Sequence, residues 1–353
     1  MKNVFLVTGG SGFIGSNFIH YLIKNKFTDK IINLDKLTYA GNPQNLLEIE
    51  NDHHYIFEKG DICNQEHMQE LLMLYKPNIV VNFAAESHVD RSIDGPDEFI
   101  KTNISGTYSL LQESLRFYQS LNGIQKSLFR FHHVSTDEVF GSLGNDGFFT
   151  EDTSYDPSSP YSASKAASDH LVRAWYRTFG LPVLISNCSN NYGPYQFPEK
   201  LIPLMILNCI AEESLPVYGT GKNVRDWLYV DDHCDAIYTI IEKGKIGETY
   251  NVGGNNEIQN IEIVNIICSI LDELKPSENG NSYTELITYV KDRPGHDFRY
   301  AIDSSKLKNE LNWLPNETFE TGIRKTIKWY LENQSWWKDI QHNTYQLERL
   351  GVV

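Results

Sequence analysis

Val4-Phe5-Leu6-Val7, followed directly by Thr8-Gly9-Gly10-Ser11-Gly12-Phe13-Ile14-Gly15, decides the fold. Four apolar residues running into a glycine turn read as a buried strand. The stretch 17–24 then carries Phe18, Ile19, Leu22 and Ile23 at helical spacing. Strand, glycine loop and helix in that order is the setting a dinucleotide fingerprint requires. Glycines let the backbone turn tightly and approach a pyrophosphate, which then rests on the positive end of the helix. An ordinary turn is the alternative, and the flanking strand and helix weigh against it.

A second apolar run, Ile31-Ile32-Asn33-Leu34, ends at Asp35. An acid there accepts hydrogen bonds from an adenosine ribose 2′-OH and repels a 2′-phosphate, which favours NAD over NADP. Lys36 is the one nearby cation. Tyr55-Ile56-Phe57 leads to Gly60-Asp61-Ile62, where Asp61 is either placed to meet the adenine edge or a plain turn residue. Asn78-Ile79-Val80-Val81-Asn82-Phe83 reads as a buried strand ending at Ala84-Ala85-Glu86-Ser87-His88. Residues 68–75, 97–118 and 162–179 read as helices, the last two long enough to present a partner-facing stripe. Strands and helices alternate up to Val183-Leu184-Ile185, which predicts an α/β, Rossmann-like, doubly wound parallel sheet. Beyond Gly193, loops punctuated by Pro and Gly mark a smaller α/β lobe. We expect an NAD-binding domain over 1–190 and a substrate lobe over 191–353. Within 226–254, Trp227-Leu228-Tyr229-Val230 and Tyr250-Asn251-Val252 look like returns to the first sheet.

The formal net charge of -15 argues against nucleic acid or an anionic membrane as partner. No apolar run approaches the roughly 20 residues needed to span a bilayer. The first strand begins almost at Met1, leaving no room for a signal peptide. Cys63, Cys188, Cys209, Cys234 and Cys268 are odd in number and contain no CxxC pair, so they read as reduced thiols of a cytoplasmic protein. The glycosylation patterns at Asn103-Ile104-Ser105 and Asn187-Cys188-Ser189 are then without consequence. No metal site is expected.

The chemistry concentrates in Val134-Ser135-Thr136-Asp137-Glu138-Val139-Phe140-Gly141 and Tyr161-Ser162-Ala163-Ser164-Lys165. Tyr161 and Lys165 lie one helical turn apart, where the ammonium is expected to hold down the phenol's pKa and make it a base. Asp137 and Glu138, at a probable strand end, add a proton donor and an acceptor. A redox enzyme so equipped can eliminate water. The alternative for the pair is a solvated turn. In the second lobe Arg225-Asp226-Trp227, Pro216-Val217-Tyr218-Gly219 and Asp292-Arg293-Pro294-Gly295-His296-Asp297 place Arg beside aromatic, Pro and Gly residues in an acidic chain. Planar Arg forks suit a pyrophosphate; the bland alternative is a set of domain-bridging ion pairs.

Together with Gly9-x-x-Gly12-x-x-Gly15 and Asn187-Cys188-Ser189-Asn190-Asn191-Tyr192-Gly193-Pro194, these motifs make the chain resemble, nearly end to end, the extended short-chain dehydrogenase/reductase family. Within that family it is most similar to the dehydratases that act on dTDP-glucose. The resemblance implies NAD held by Gly9, Gly12, Phe13, Ile14, Gly15, Asp35, Lys36, Asp61, Ile62, Ala84, Tyr161 and Lys165. It implies catalysis by Thr136, Asp137, Glu138, Tyr161 and Lys165. The expected reaction is oxidation at C4 of dTDP-glucose, loss of water across C5–C6 and hydride return to C6. Arg225, Asn260, Arg293 and His296 would hold the diphosphate, Lys200 and Tyr218 would lie near the nucleotide, His88 near the sugar, and Asn190 would also contact substrate. A homodimer through the two long helices is implied as well. Phe140 stands where Tyr is common in the family and Gln196 where His is common. Other readings are a UDP-glucose 4,6-dehydratase, a UDP-sugar 4-epimerase, which the Asp137-Glu138 pair disfavours, and a non-catalytic NAD-sensing scaffold.

Overall fold

In the computed structural model, which describes residues 3–343, the apolar runs become strands. The outer ends of the two expected domains, residues 1–2 and 344–353, lie outside the described residues. The strands are β1 (Val4–Thr8), β2 (Lys30–Asp35), β3 (Tyr55–Lys59), β4 (Ile79–Asn82), β5 (Arg130–Thr136), β6 (Val183–Cys188), β7 (Asn190–Tyr192), β8 (Leu215–Tyr218), β9 (Val224–Tyr229), β10 (Thr249–Val252), β11 (Glu257–Gln259) and β12 (Ile287–Val290). Seven of them form one parallel sheet in the order β10-β6-β5-β4-β1-β2-β3. The order reverses at β1, which pairs with β2 on one side and β4 on the other. That reversal opens a crevice at the carboxyl ends of the strands, where such sheets bind ligands.

Both faces of the sheet are covered, which is why its strands are apolar at nearly every position rather than alternating. Leu6, Ile32, Val80, Phe131 and Ile185 pack on one face against the helices Gln65–Tyr75, Thr107–Ser120 and Pro160–Phe179. Phe5, Val7, Ile31, Ile79 and Val81 pack on the other with Phe18 and Ile19 of Phe13–Lys24 and with Val230, Cys234 and Ile237 of Val230–Lys243. All five cysteines are unpaired. No helix among the described residues is long and apolar enough to cross a membrane.

The two long helices differ from their expected form in instructive ways. The second starts at Pro160, not 162: Ser159 and Ser162 form a capping box, and proline is tolerated in the first turn, where its missing N–H is not needed. The first is interrupted. Asp97–Phe99 passes into a π-helical segment, Ile100–Gly106, before Thr107–Ser120 resumes α geometry. The widened turn carries Asn103, whose Oδ1 accepts from the Glu86 N–H at 2.9 Å and whose Nδ2 donates to the Glu86 carbonyl at 2.9 Å and to Ser164 Oγ at 2.8 Å. The loop after β4 is thereby clamped to the helix bearing Tyr161.

One strand was expected in the wrong sheet. Tyr250-Asn251-Val252 does extend the first sheet as β10, but Trp227-Leu228-Tyr229 does not. It belongs to β9, the middle of a separate sheet in the order β11-β9-β7. Asp226 explains the local choice: its carboxylate accepts from the N–H groups of Gly254 and Asn256, tying β9 to the turn that leads into β11. Around this sheet the second lobe builds its own aromatic core from Tyr192, Trp227, Tyr229, Phe319, Tyr330 and Trp336.

His233, at the start of Val230–Lys243, is fully buried with Nδ1 2.8 Å from Asn191 Oδ1. Burial pushes its pKa down to about 3. In the unfolded chain the ring titrates near ~6.5. Between those values the unfolded state binds the extra proton, so the stability that the neutral ring supplies is present above ~6.5 and is lost as pH falls. We expect the stability gap between the parent and His233→Gln to narrow by about 1.4 kcal/mol for each pH unit below ~6.5. Urea melts at about pH 7, 6 and 5 measure it; a gap independent of pH would mean the ring is not held neutral.

Candidate active site

A cavity of about 300 Å³ opens at the reversal point, lined by the glycine turn after β1 and by the ends of β2, β4, β5 and β6. Gly9 sits at φ 69, and a β-carbon there would lie 2.7 Å from the Ala84 nitrogen. A β-carbon on Gly15 would lie 2.3 Å from the Gly9 carbonyl oxygen, so only glycine lets the helix press against the turn. Gly12 begins that helix and offers no side chain to cap it, leaving the first N–H groups for an anion. Asp35 is buried, and its two oxygens accept from the N–H groups of Ser11 at 2.9 Å and Leu37 at 2.8 Å. A carboxylate has about four lone-pair sites, so it keeps capacity for ligand hydroxyls. Lys36 pairs with Asp61 at 2.9 Å, and Asp61 also accepts from the Cys63 N–H, so these two rim residues hold each other. Phe13, Ile14, Ile62 and Ala84 supply apolar lining.

The floor of the cavity is the end of β5. Thr136 caps a single 3-10 turn, Asp137–Phe140, by accepting from the Glu138 N–H at 3.2 Å, and this turn carries the two acids into the site. They occupy different fields. Asp137 is 1% exposed; its Oδ1 accepts from the Thr136 hydroxyl at 3.4 Å, and its Oδ2 has no partner among the described residues. Burial, then the charges of Glu138 and Asp226, push its carboxyl well above the ordinary range and favour the protonated acid. Burial also raises Glu138, but Arg293, Arg225 and Lys200 pull the other way.

Tyr161 and Lys165 both line the cavity, one turn apart on the helix Pro160–Phe179. The expected depression of the phenol's pKa by Lys165 is not found. Burial, then the Glu138 charge, push the phenol well above its ordinary value, and the Thr136 hydroxyl only partly offsets this by hydrogen bonding. The Lys165 ammonium is engaged elsewhere, donating to the Val134 carbonyl at 2.9 Å. Helical spacing correctly placed the two groups on one face, but it carries no information about burial.

A second cavity of about 220 Å³ adjoins the first, with Ser87, Glu138, Asn190, Glu199 and Lys200 lining both. His88, Tyr218, Arg225, Asn260, Arg293 and His296 line the second. Arg225 is held by the carbonyls of Val224 at 2.8 Å and Asp297 at 2.9 Å, and its guanidinium stacks 4.1 Å from the centre of the Tyr300 ring. Arg293 makes a lobe-bridging ion pair with Asp90 at 2.6 Å, yet its Nε is buried without a partner among the described residues. For Arg293, then, the ion pair and the cavity position coexist. Asn190 Oδ1 and Asn260 Oδ1 are likewise buried and unpartnered among the described residues. Unsatisfied donors and acceptors facing a common space suit a polar, anionic ligand that supplies the missing partners. Burial pushes the ring of His88 down to about 2 and that of His296 to about 4, so both are neutral here; His296 Nδ1 lies 2.7 Å from Asp292. Lys200 donates to the Ser87 carbonyl at 3.1 Å.

Sequence reasoning missed Asp90, Glu199, Tyr300 and Asn103. Asp90 accepts from both Arg293 and the Tyr218 hydroxyl, and Glu199 accepts from Arg91 at 2.8 Å and from Tyr39 at 3.0 Å. Partners more than a hundred residues away leave no local signal. Of the two departures from the family pattern, Gln196 lines the first cavity while Phe140 packs on Phe149 and Tyr155. One group outside both cavities, Asp52, His53 and His54, gathers ligand-type atoms within 4.8 Å of one another.

Residues 6–326 match the family model described as GDP-mannose 4,6 dehydratase. The chain is 57% identical over 360 residues to a dTDP-glucose 4,6-dehydratase of Escherichia coli, covering 99% of each chain. It is 55% identical over 350 residues to that of Neisseria meningitidis serogroup B, covering 98% of each. The solved dTDP-glucose 4,6-dehydratase of Bacillus anthracis str. Ames in complex with NAD superposes with a TM-score of 0.85 at 47% identity, over 96% of this chain and 99% of that one. The Streptomyces venezuelae enzyme, also solved with NAD bound, gives 0.87 at 42% identity over 96% and 99%. With the acidic pair, the Tyr161–Lys165 helix and the glycine turn converging on one crevice, the chain belongs to the 4,6-dehydratase branch of the extended short-chain dehydrogenase/reductase family, among the dTDP-glucose 4,6-dehydratases.

Proposed function

We propose that this chain converts dTDP-glucose to dTDP-4-keto-6-deoxyglucose and water with NAD as its resident cofactor. Asp137 and Glu138 carry this conclusion: neighbours in the chain, they sit in different electrostatic settings, one pushed well above its ordinary range by burial and by neighbouring negative charges, the other raised by burial but opposed by three cations. A 4-epimerase needs no such pair, whereas elimination needs both members.

The glycine turn, the open helix N-terminus and Asp35 suit NAD, which when bound would supply the hydride acceptor for C4 and donor for C6 and a positive charge opposing the effect of burial on the Tyr161 phenol. Tyr161 takes the proton from O4 while Thr136 hydrogen-bonds the same oxygen. The 4-keto group acidifies C5–H, and Glu138 removes that proton. Asp137 protonates O6 as the C6–O bond breaks and water leaves. Glu138 exchanges that proton with solvent and then delivers a solvent-derived one to C5 as the hydride returns to C6. One turnover leaves Tyr161 one proton richer and Asp137 one poorer. The Thr136 hydroxyl hydrogen-bonds both groups and offers the path that resets them. Arg225 and Arg293 take the diphosphate, with Asn190, Asn260, Lys200, Tyr218, His88 and His296 around the nucleotide and sugar. We further propose a cytoplasmic homodimer: Ile100, Tyr108, Tyr176 and Phe179 leave exposed apolar surface along the two long helices.

Deuterium at C4 of dTDP-glucose should appear at C6 of the product, with a solvent deuteron at C5 in heavy water. Label released to free NADH, or kept at C4, would rule out internal transfer. Tyr161→Phe should leave the nicotinamide oxidised when substrate is added. Asp137→Asn and Glu138→Gln should still reduce it but slow turnover by about 10²–10⁴-fold, so that enzyme-bound NADH absorbance accumulates in a single turnover. Acidic-pair variants that turn over at the parent rate, or that block reduction as fully as Tyr161→Phe, would contradict these roles. Arg293→Ala should weaken dTDP binding by about 1.5–3 kcal/mol with kcat less affected. It should also lower the melting temperature, because Asp90 loses its cation. Calorimetric titration and melting read the two effects separately, and unchanged affinity would make Arg293 a purely structural ion pair.

A further inference from the structure

The helix Pro160–Phe179 carries Tyr161, Lys165, Asp169 and Arg173 at intervals of four, a single stripe of ionisable groups along one face. Asp169 has no part in the chemistry above, yet it is fully buried. Its Oδ2 accepts from Ser135 Oγ at 2.9 Å, from the Tyr155 hydroxyl at 2.8 Å and from Asn187 Nδ2 at 3.3 Å, while His133 Nε2 lies 3.4 Å from its Oδ1. The Arg173 guanidinium reaches the Tyr155 hydroxyl at 2.7 Å and Thr249 Oγ1 at 3.2 Å. Lys165, one turn before Asp169, is itself only 5% exposed, and its donation to the Val134 carbonyl is to a neutral group. An ammonium and a carboxylate buried a turn apart compensate each other; either alone would be strongly disfavoured.

We propose that Asp169 is a positioning residue whose buried negative charge, one helical turn from Lys165, keeps that side chain a cation, and so preserves the positive charge that Lys165 presents to the first cavity beside Tyr161. This rests on the reading of the first cavity as the NAD site and of Tyr161 as the base. The surrounding charges agree. Burial drives the Lys165 amine below its ordinary value, and Asp169 is the largest influence against that, followed by Cys188 of β6. Burial raises Asp169 in turn, but His133 of β5, then Lys165 and Arg173 on its own helix, bring it below its ordinary value. Tyr155 faces it from the preceding loop as a neutral hydroxyl.

Asp169→Asn keeps the shape and removes the charge. On dTDP-glucose we expect kcat on the alkaline side of the optimum to fall by up to about tenfold at a given pH, the most that a one-unit shift of Lys165 can remove, with KM little changed. The alkaline limb of the kcat profile, where Lys165 loses its proton, should move to lower pH by about one unit. Asp169→Glu, which restores the charge, should recover most of both. An unshifted limb, or Asn and Glu variants impaired alike, would overturn the proposal. If Asp169→Asn does not fold alone, the Lys165→Met, Asp169→Asn pair decides. With neither charge of the pair left buried alone, it should fold and melt above Lys165→Met. A double variant as unstable as the single would show that Asp169 serves packing instead. Those melts need no substrate, so they stand even if the parent fails to turn over dTDP-glucose, a result that would sink the functional reading rather than this one.

Discussion

A line of buried hydrogen bonds crosses the sheet beneath the site, and the geometry above depends on it. The Thr8 hydroxyl donates to Asn82 Oδ1 at 2.7 Å, Asn82 Nδ2 lies 3.1 Å from His133 Nδ1, and His133 Nε2 lies 3.2 Å from Ser168 Oγ. Residues on β1, β4 and β5 and on the Tyr161 helix are thus joined by directional contacts where apolar packing alone would tolerate slippage. The amide donor toward Nδ1 fixes the His133 tautomer, leaving its proton on Nε2. Burial, then the nearby Lys165 charge, push the ring's pKa down to about 4, so it stays neutral and the line stays intact at neutral pH.

Above that line the site works by unequal burial. Tyr161, Lys165 and Asp137 are each less than a tenth exposed, while Glu138 lies at the junction of the two cavities. Desolvation pushes all three carboxyl and phenol groups toward their neutral forms, and only Glu138 meets a concentration of cations large enough to oppose it substantially. The two carboxyls thus come to differ without any difference in side-chain chemistry beyond one methylene. The cations come from the second lobe, so the electrostatics of the site exist only when both lobes are in place.

The fold was legible because its signals are local. The β1 run, the glycine turn and the periodicity of Phe18, Ile19 and Leu22 each lie within a window of about ten residues, and both faces of the sheet are buried, so the strands announce themselves as apolar runs. The glycines and the Tyr161–Lys165 spacing were legible for the same reason. Strand pairing was not: Trp227-Leu228-Tyr229 is as apolar as Tyr250-Asn251-Val252, and only the contacts of Asp226 with Gly254 and Asn256 separate their fates. Pairings such as Asp90 with Arg293 span two lobes and leave no trace in either neighbourhood. The phenol's pKa failed for a third reason, since spacing gives proximity and not solvation.

The π-helical segment Ile100–Gly106 has an evolutionary reading. A π turn is an α-helix holding one residue more than its hydrogen-bond ladder requires. Deleting one residue there would heal the ladder and leave the buried face of Thr107–Ser120 in phase with the core. It would also swing the amide of Asn103 off Glu86 and Ser164 and free the loop that lines both cavities. Foldability and function are therefore written in different residues of one helix, and a single lost codon would part them.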